Sequence, residues 1–337
     1  MTTPSSRFMK VASIVERDGD GRMELMDTPT PSAGSGEILV KVAAFGVNNA
    51  DLMALQGTAR RDENHVPGLE ASGTVVAVGA CADHAYSIGD RVGVLLRSGA
   101  YGEYVIAPAA AAFACPDGVD DVAAAALPEA LAAAWWNLVD RGRIGPGDRV
   151  LVRGGAGGMG TVMIQLAAAL GAVVTTTARD VHASVMRELG AANVVDHSRP
   201  DAEQRLSAVE PDGFDVIIDN LGGPWISANL SRLAFGGRLV VLGAQAGDIG
   251  EISAGALMAK CASVSSSSLS KLSDLRRALL MQKVRQRILP WVATGKIRAV
   301  VSKVVEWPDI DGAIAAFSQT GKLGKVVVAM PDAASAA

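Results

Sequence analysis

Cysteine is scarce in this chain. Cys81, Cys115 and Cys261 are the only three among 337 residues, and no C-x-x-C pair occurs. That excludes a disulfide framework and a zinc ribbon. The thiols read as small buried apolar residues in a reducing compartment. Histidine is almost as rare: of His65, His84, His182 and His197 none pairs at metal-ligand spacing, and His65 reads as a solvated loop residue. Excess charge is also missing. With 31 basic and 35 acidic residues the net charge is −4, so no overall positive field exists to hold nucleic acid or an anionic membrane. No long apolar run occurs either. The most apolar stretch, Ala123 to Val139, is interrupted by Pro128 and Glu129. It falls short of the ~20 residues of a membrane-spanning helix and reads as a buried helix. The N-terminal MTTPSSRFMKVASIVERDG lacks a secretory h-region, so the expectation is a cytoplasmic protein.

Material for a core is plentiful. Hydrophobic residues make up 49% and charged residues 20%, which excludes disorder, and the length suits about two domains. Up to about residue 110 apolar residues come in short runs (EILVKVAAF, GTVVAVG, DRVGVLL, EYVIAP) bounded by Gly, Asp or Pro, the pattern of a mostly β domain. From about residue 125 strands and helices alternate: RVLVRG, a helix from Gly158 to Gly171, AVVTTTA, a helix, NVVD, FDVIIDN and GRLVVLG. Such apolar strands fit a parallel sheet covered on both faces, a doubly wound α/β domain. The segment from Lys271 looks helical until Pro290, and a strand, a helix over 308–320 and a last strand follow. These elements pack back on the first domain. The expected divisions are 1–124, 125–270 and 271–337, and the final PDAASAA frays.

RVLVRGGAGGMG places Gly154, Gly157 and Gly160, with Gly158 and Met159 between them, at a strand-to-helix junction. Glycines there let backbone N–H groups at a helix N-terminus approach a pyrophosphate. A second strand ends about 20 residues on, as a dinucleotide unit needs. Its end reads Thr177-Ala178-Arg179-Asp180. In one reading Arg179 holds a 2′-phosphate and Asp180 caps the next helix; in the other Asp180 binds a ribose hydroxyl and Arg179 is solvated. The spacing of 20 from Gly160 favours NAD, whereas a strand ending at Thr177 or Ala178 favours NADPH, the preferred reading. Asn220 with Gly222 and Gly223, and Gly243, lie at carboxyl ends of predicted strands, where such sheets bind ligands.

GVNNADLMALQG, VPGLEASGTVVAVG, IGDRV, SGAYGEYV, ALPEA, the glycine loop and GKLGKVVVAM, in this order, resemble the medium-chain dehydrogenase/reductase superfamily. Within it they are most similar to the zinc-independent, zeta-crystallin-like quinone oxidoreductases. The resemblance implies a GroES-like catalytic domain, an inserted Rossmann domain, NADPH as hydride donor and a homodimer. Asn48 and Leu69 stand where zinc-dependent relatives carry Cys and His, so the expected catalyst is metal-free.

Without a Lewis acid the chemistry suits a small electron-poor acceptor, a quinone or enone, whose developing oxyanion takes hydrogen bonds. Asn48 is the expected contact to nicotinamide or acceptor oxygen, by resemblance to the family's N-x-x-D. Asp51 and Glu70 read as structural hydrogen-bonding groups. Two hydroxyls of the family are missing: Ala133 stands in place of a Thr, and Gln56-Gly57-Thr58-Ala59 lacks a Tyr. Tyr101 is then the nearest candidate phenol. The charged TARRDENH, with Arg60 and Arg61, alters one wall of the acceptor pocket. The expectation is an NADPH-dependent reductase of quinones or α,β-unsaturated carbonyls. The alternatives are an enoyl-thioester or biosynthetic tailoring reductase, and a non-catalytic NADPH-binding sensor or structural module.

Overall fold

The short apolar runs become strands because each buries one or both faces. A computed structural model describes residues 7–17, 20–57, 65–82 and 84–331. The segment 58–64, with Arg60 and Arg61, and residues 332–337 of the tail lie outside the described residues. The chain divides into two units, Met1–Glu129 with Asp274–Ala337, and Ala130–Ser273.

In the first unit, numbered in chain order, β1 (Phe8–Arg17) and β2 (Asp20–Pro29) form an antiparallel hairpin. A larger sheet takes β3 (Glu37–Gly46), β4 (Glu70–Val78), β5 (Arg91–Leu95), β6 (Tyr104–Pro108) and β7 (Ala112–Ala114). The returning chain adds β14 (Val301–Glu306) and β15 (Lys325–Ala329), giving the order β14-β15-β3-β4-β5-β7 with β6 on β3. Register fixes what meets at one end of this sheet. Val327 pairs with Gly46 and Phe45 with Ala71, so the end of β3 lies beside the starts of β4 and β15.

Helix α1 (Asn49–Leu55) follows β3 directly. The stretch expected as one buried helix is two, α2 (Asp121–Ala125) and α3 (Pro128–Trp135), continued by a π-helical turn over Trp136–Arg141. Pro128, with no N–H to give, starts a helix but does not continue one. Conversely, the helix expected to stop at Pro290 runs on. After α9 (Asp274–Lys283) a π-helical turn, Val284–Ile288, leads into α10 (Leu289–Ala293), and Pro290 falls in its first turn, where a missing N–H costs nothing. α11 (Ile310–Ser318) joins β14 to β15.

The second unit is a six-stranded, all-parallel sheet: β8 (Arg149–Val152), β9 (Val173–Thr177), β10 (Asn193–Val195), β11 (Phe214–Asp219), β12 (Leu233–Val241) and β13 (Ser263–Ser266). Between them run α4 (Gly158–Ala169), α5 (Ala183–Glu188), α6 (Ala202–Val209), α7 (Trp225–Ser231) and α8 (Ala254–Lys260). The order is β10-β9-β8-β11-β12-β13, so the winding reverses between β8 and β11. This is a GroES-like sheet unit and a Rossmann unit.

The cysteines depart from expectation. Cys81 and Cys261 are exposed and Cys115 is half-buried. Cys81 and Cys261 hold left-handed backbone, φ 65° and 47°, and Cys261 closes α8, so a small residue serves a turn there. Among the described residues no helix is long and apolar enough to cross a membrane.

Candidate active site

The glycine loop lies at the reversal point of the Rossmann sheet, where such sheets bind ligands. Gly157 is the N-cap of α4, with no side-chain cap and no acidic residue in the first turn. The first helical bond runs from Thr161 N–H to Gly157 O at 2.9 Å. The N–H groups of Gly158, Met159 and Gly160 thus have no acceptor among the described residues, and the helix dipole adds positive potential. The bareness is enforced by space: a Cβ on Gly160 would overlap Gly154 O, and one on Gly154 would lie 2.8 Å from Asn220 Nδ2. Gly154 also needs its left-handed φ of 73°.

Asn220, just past β11, faces this loop, and its Oδ1 is buried with no hydrogen-bond partner. A dinucleotide fits these residues: diphosphate oxygens on the free N–H groups and a hydroxyl donor on the orphaned Oδ1. Gly243 is packed against Asn220, since a Cβ there would lie 2.8 Å from its carbonyl oxygen. Gly222 and Gly223 hold positive φ in the turn that follows, where Asp219 accepts the N–H groups of Leu221 and Gly222.

At the end of β9 the arrangement differs from the expected cap. Arg179, not Asp180, holds the N-cap position of the 3-10 turn Asp180–His182. The Asp180 carboxylate is engaged elsewhere, by the Arg199 guanidinium at 2.5 and 3.1 Å, while its N–H donates to Asp196. Ser198 and that N–H pull the Asp196 carboxyl down to about 2. Arg179 is exposed, and no group among the described residues bonds its side chain.

In the GroES-like unit Asn48 is the N-cap of α1, and its N–H donates to the Asp51 carboxylate three residues on. Its side-chain amide turns into the end of the sheet between β15 and β4, where Nδ2 donates to Glu70 Oε1 at 2.9 Å and Oδ1 accepts from Lys325 Nζ at 2.6 Å. Glu70, fully buried, also accepts the Glu129 N–H at 2.9 Å.

Asp51 accepts three donors: Asn48 N–H at 2.8 Å, Gly68 N–H at 3.0 Å and the Tyr101 hydroxyl at 3.1 Å. Burial nevertheless pushes its carboxyl up to about 6. The phenol offered as proton donor is fully inside the core, stacked on Phe45 with ring centres 4.4 Å apart and its proton given to Asp51. Burial raises its pKa well above the usual phenol value. Ala133 is buried in α3, and its carbonyl accepts the Asn137 amide at 2.8 Å. His65 pairs across an isolated bridge with Ile14.

Sequence reasoning missed Lys325, Glu129 and Arg199. Lys325 opens an apolar strand and reads as a solvent-facing flank. Only the fold, which sets its side chain against Gly46 and Asn48, reveals otherwise. Among the described residues no group of three or more His, Cys, Asp or Glu could hold a metal ion.

Residues 34–117 match the family described as alcohol dehydrogenase GroES-like domain, and residues 158–283 the family described as zinc-binding dehydrogenase. The quinone oxidoreductase of Thermus thermophilus, solved also with NADPH, is 30% identical and superposes with a TM-score of 0.82 over 95% of this chain and 100% of that one. The chain belongs to the medium-chain dehydrogenase/reductase superfamily. Both matched domains are dehydrogenase domains, and the chain is an oxidoreductase. The CurK enoyl reductase, also similar, is 25% identical with a TM-score of 0.83 over 96% of this chain and 99% of that one. Phthioceranic/hydroxyphthioceranic acid synthase of Mycobacterium tuberculosis is 37% identical over 215 residues, 62% of this chain and 10% of the synthase. The chain spans about a tenth of the length of the synthases that it matches first.

Proposed function

We propose that this chain reduces conjugated carbonyl compounds, quinones or α,β-unsaturated carbonyls, with NADPH and without zinc. The observation that carries the reading is the acid-free, glycine-built tip of α4, whose three N–H groups have no acceptor among the described residues. Arg179 stands open for a 2′-phosphate, and Arg199 neutralises the Asp180 carboxylate, which would oppose it. Bound there, the reduced nicotinamide supplies a hydride.

The chain's own residues do the rest. Gly158, Met159 and Gly160 orient the diphosphate, and Asn220 takes a hydroxyl. Asn48 donates an N–H to the acceptor oxygen, on which negative charge develops as hydride adds to the conjugated carbon. A proton from water then completes the reduction. Leu69 has no ligand atom, and the Asn48 amide is committed to Glu70 and Lys325, so this donor set suits hydrogen bonding and not zinc.

The test is NADPH oxidation by the purified protein across a quinone panel and an enone panel. Turnover with either class is expected, and none above background with any acceptor overturns the proposal. An enoyl thioester is a second acceptor reading, supported by the similarity to CurK enoyl reductase and to the synthase segment. Relative kcat/KM for a quinone and an enoyl thioester separates the two. We further propose a cytoplasmic homodimer. The β13 edge of the Rossmann sheet has no strand partner among the described residues, and exposed thiols suit a reducing compartment. Sedimentation at micromolar concentration showing only monomer would remove the dimer.

A further inference from the structure

Lys325 opens β15, and its side chain turns inward, only 5% exposed. Its ammonium meets three oxygens: Asn48 Oδ1 at 2.6 Å, Glu70 Oε1 at 2.5 Å and Glu129 Oε2 at 3.6 Å. Gly46 keeps the space open, since a Cβ there would overlap Glu70 Oε1 and lie 3.0 Å from Lys325 Cε. Burial works against the lysine charge, but Glu70 and Glu129 outweigh it and hold its pKa above the usual value. Burial in turn pushes the Glu129 carboxyl up.

Stability does not explain such a cluster, because well-packed apolar residues commonly serve a core as well as buried ion pairs do. Its hydrogen-bond chemistry does. An ammonium has only donors and an ionised carboxylate only acceptors. Between them the Asn48 amide has one permitted orientation, Oδ1 toward Lys325 and one N–H toward Glu70. Flipped, it would set N–H against ammonium and carbonyl against carboxylate. The second N–H on Nδ2 has no partner among the described residues, and Asn48 keeps 8% of its surface exposed.

We propose that Lys325 and Glu70 are a positioning pair that locks the Asn48 amide, so that its remaining N–H is presented to the carbonyl oxygen of the acceptor. The inference rests on the reading of Asn48 as the acceptor's hydrogen-bond donor. Lys325 itself touches no substrate. Its charge on Oδ1 draws electron density from the amide and makes the free N–H a stronger donor.

The test compares the wild-type protein with Lys325→Arg and with the double variant Lys325→Gln/Glu70→Gln, in which both neighbours of the amide can donate or accept and the Glu70 carboxylate is not left facing a missing lysine. Selective ¹⁵N-Asn labelling reads the Asn48 side-chain amide, assigned by its loss in Asn48→Ala. In the wild type its two proton resonances should be widely separated, one moved downfield by Glu70. The double variant should draw them together and lower kcat by about 10- to 100-fold, somewhat less than loss of an oxyanion donor. NADPH affinity should stay unchanged, and Lys325→Arg should restore most of kcat. Unmoved amide resonances, or a folded, NADPH-binding double variant with kcat within about twofold of wild type, overturn the lock. Moved resonances in a wild-type protein that reduces no quinone, enone or enoyl thioester overturn the presentation to an acceptor and leave the lock standing.

Discussion

Arg199 closes on Asp180 with two guanidinium contacts, 2.5 and 3.1 Å, to the same carboxylate oxygen. Both residues are exposed, so the pair adds little to stability. Its consequence is for nucleotide choice, because Asp180 lies 20 residues beyond Gly160, where NAD sites hold an acidic group for the ribose 2′-hydroxyl. Arg199→Ala should free that carboxylate to repel a 2′-phosphate and accept a 2′-hydroxyl. The NADPH-to-NADH ratio of kcat/KM should fall about tenfold, equivalent to ~1.4 kcal/mol. An unchanged ratio would show that Asp180 does not face the ribose.

Arg179 carries the complementary prediction. A charge-assisted bond to the 2′-phosphate contributes about 1.5–3 kcal/mol, so Arg179→Ala should weaken NADPH roughly 10- to 100-fold. NADH binding should change by less than about twofold. Calorimetric titration with each nucleotide measures both, and equal losses would remove the assignment of NADPH to this residue.

The glycine loop gives a steric prediction with its own control. A Cβ on Gly160 would overlap Gly154 O and sit 2.8 Å from Gly155 Cα, whereas one on Gly145 meets nothing within 4 Å. Gly160→Ala should therefore cost about 1–3 kcal/mol of stability through overpacking, and should weaken both nucleotides by opening the loop. Gly145→Ala should leave melting temperature and nucleotide affinity unchanged. Wild-type affinity in Gly160→Ala would mean that the diphosphate lies elsewhere.

The Rossmann half was legible because its signals are local. Apolar strands, a glycine turn and helical spacing follow one another along the chain, and residues 154–160 need no distant partner to be noticed. The hairpin β1–β2 was not legible, since Met23 and Leu25 alternate with Arg22 and Glu24 in a run so charged that its period of two is easily lost. Nor was the Asn48 cluster. Asn48 and Lys325 are 277 positions apart, and a lysine before an apolar run looks like any strand flank until the fold brings its ammonium to Asn48. Tyr101 is a related case: sequence shows that a phenol is present but not that its hydroxyl points into the core at Asp51. Arg199 and Asp180 come from different loops, so the second reading of Asp180 could be weighed only once their pairing was visible.

Asp51 makes the fold sensitive to pH in a direction opposite to a salt-bridged carboxylate. Burial pushes its carboxyl up to about 6 from an ordinary value of 3.8, against the pull of the Asn48 and Gly68 N–H groups, the Tyr101 hydroxyl and Lys325. The native chain therefore binds more protons than the unfolded chain between about pH 4 and 6. This contribution is full below about 4 and is lost as pH rises through about 6. Urea unfolding of wild type and Asp51→Asn at pH 4 and 7 should show the wild type losing on the order of 2 kcal/mol relative to the variant. Tyr101→Phe removes a bond that favours the ionised form, so the Asp51 carboxyl should titrate above 6 by ¹³C NMR, with kcat changed by less than about twofold. A drop in kcat beyond tenfold in that variant, with Asp51 still titrating near 6, would return the phenol to the reaction as a proton donor.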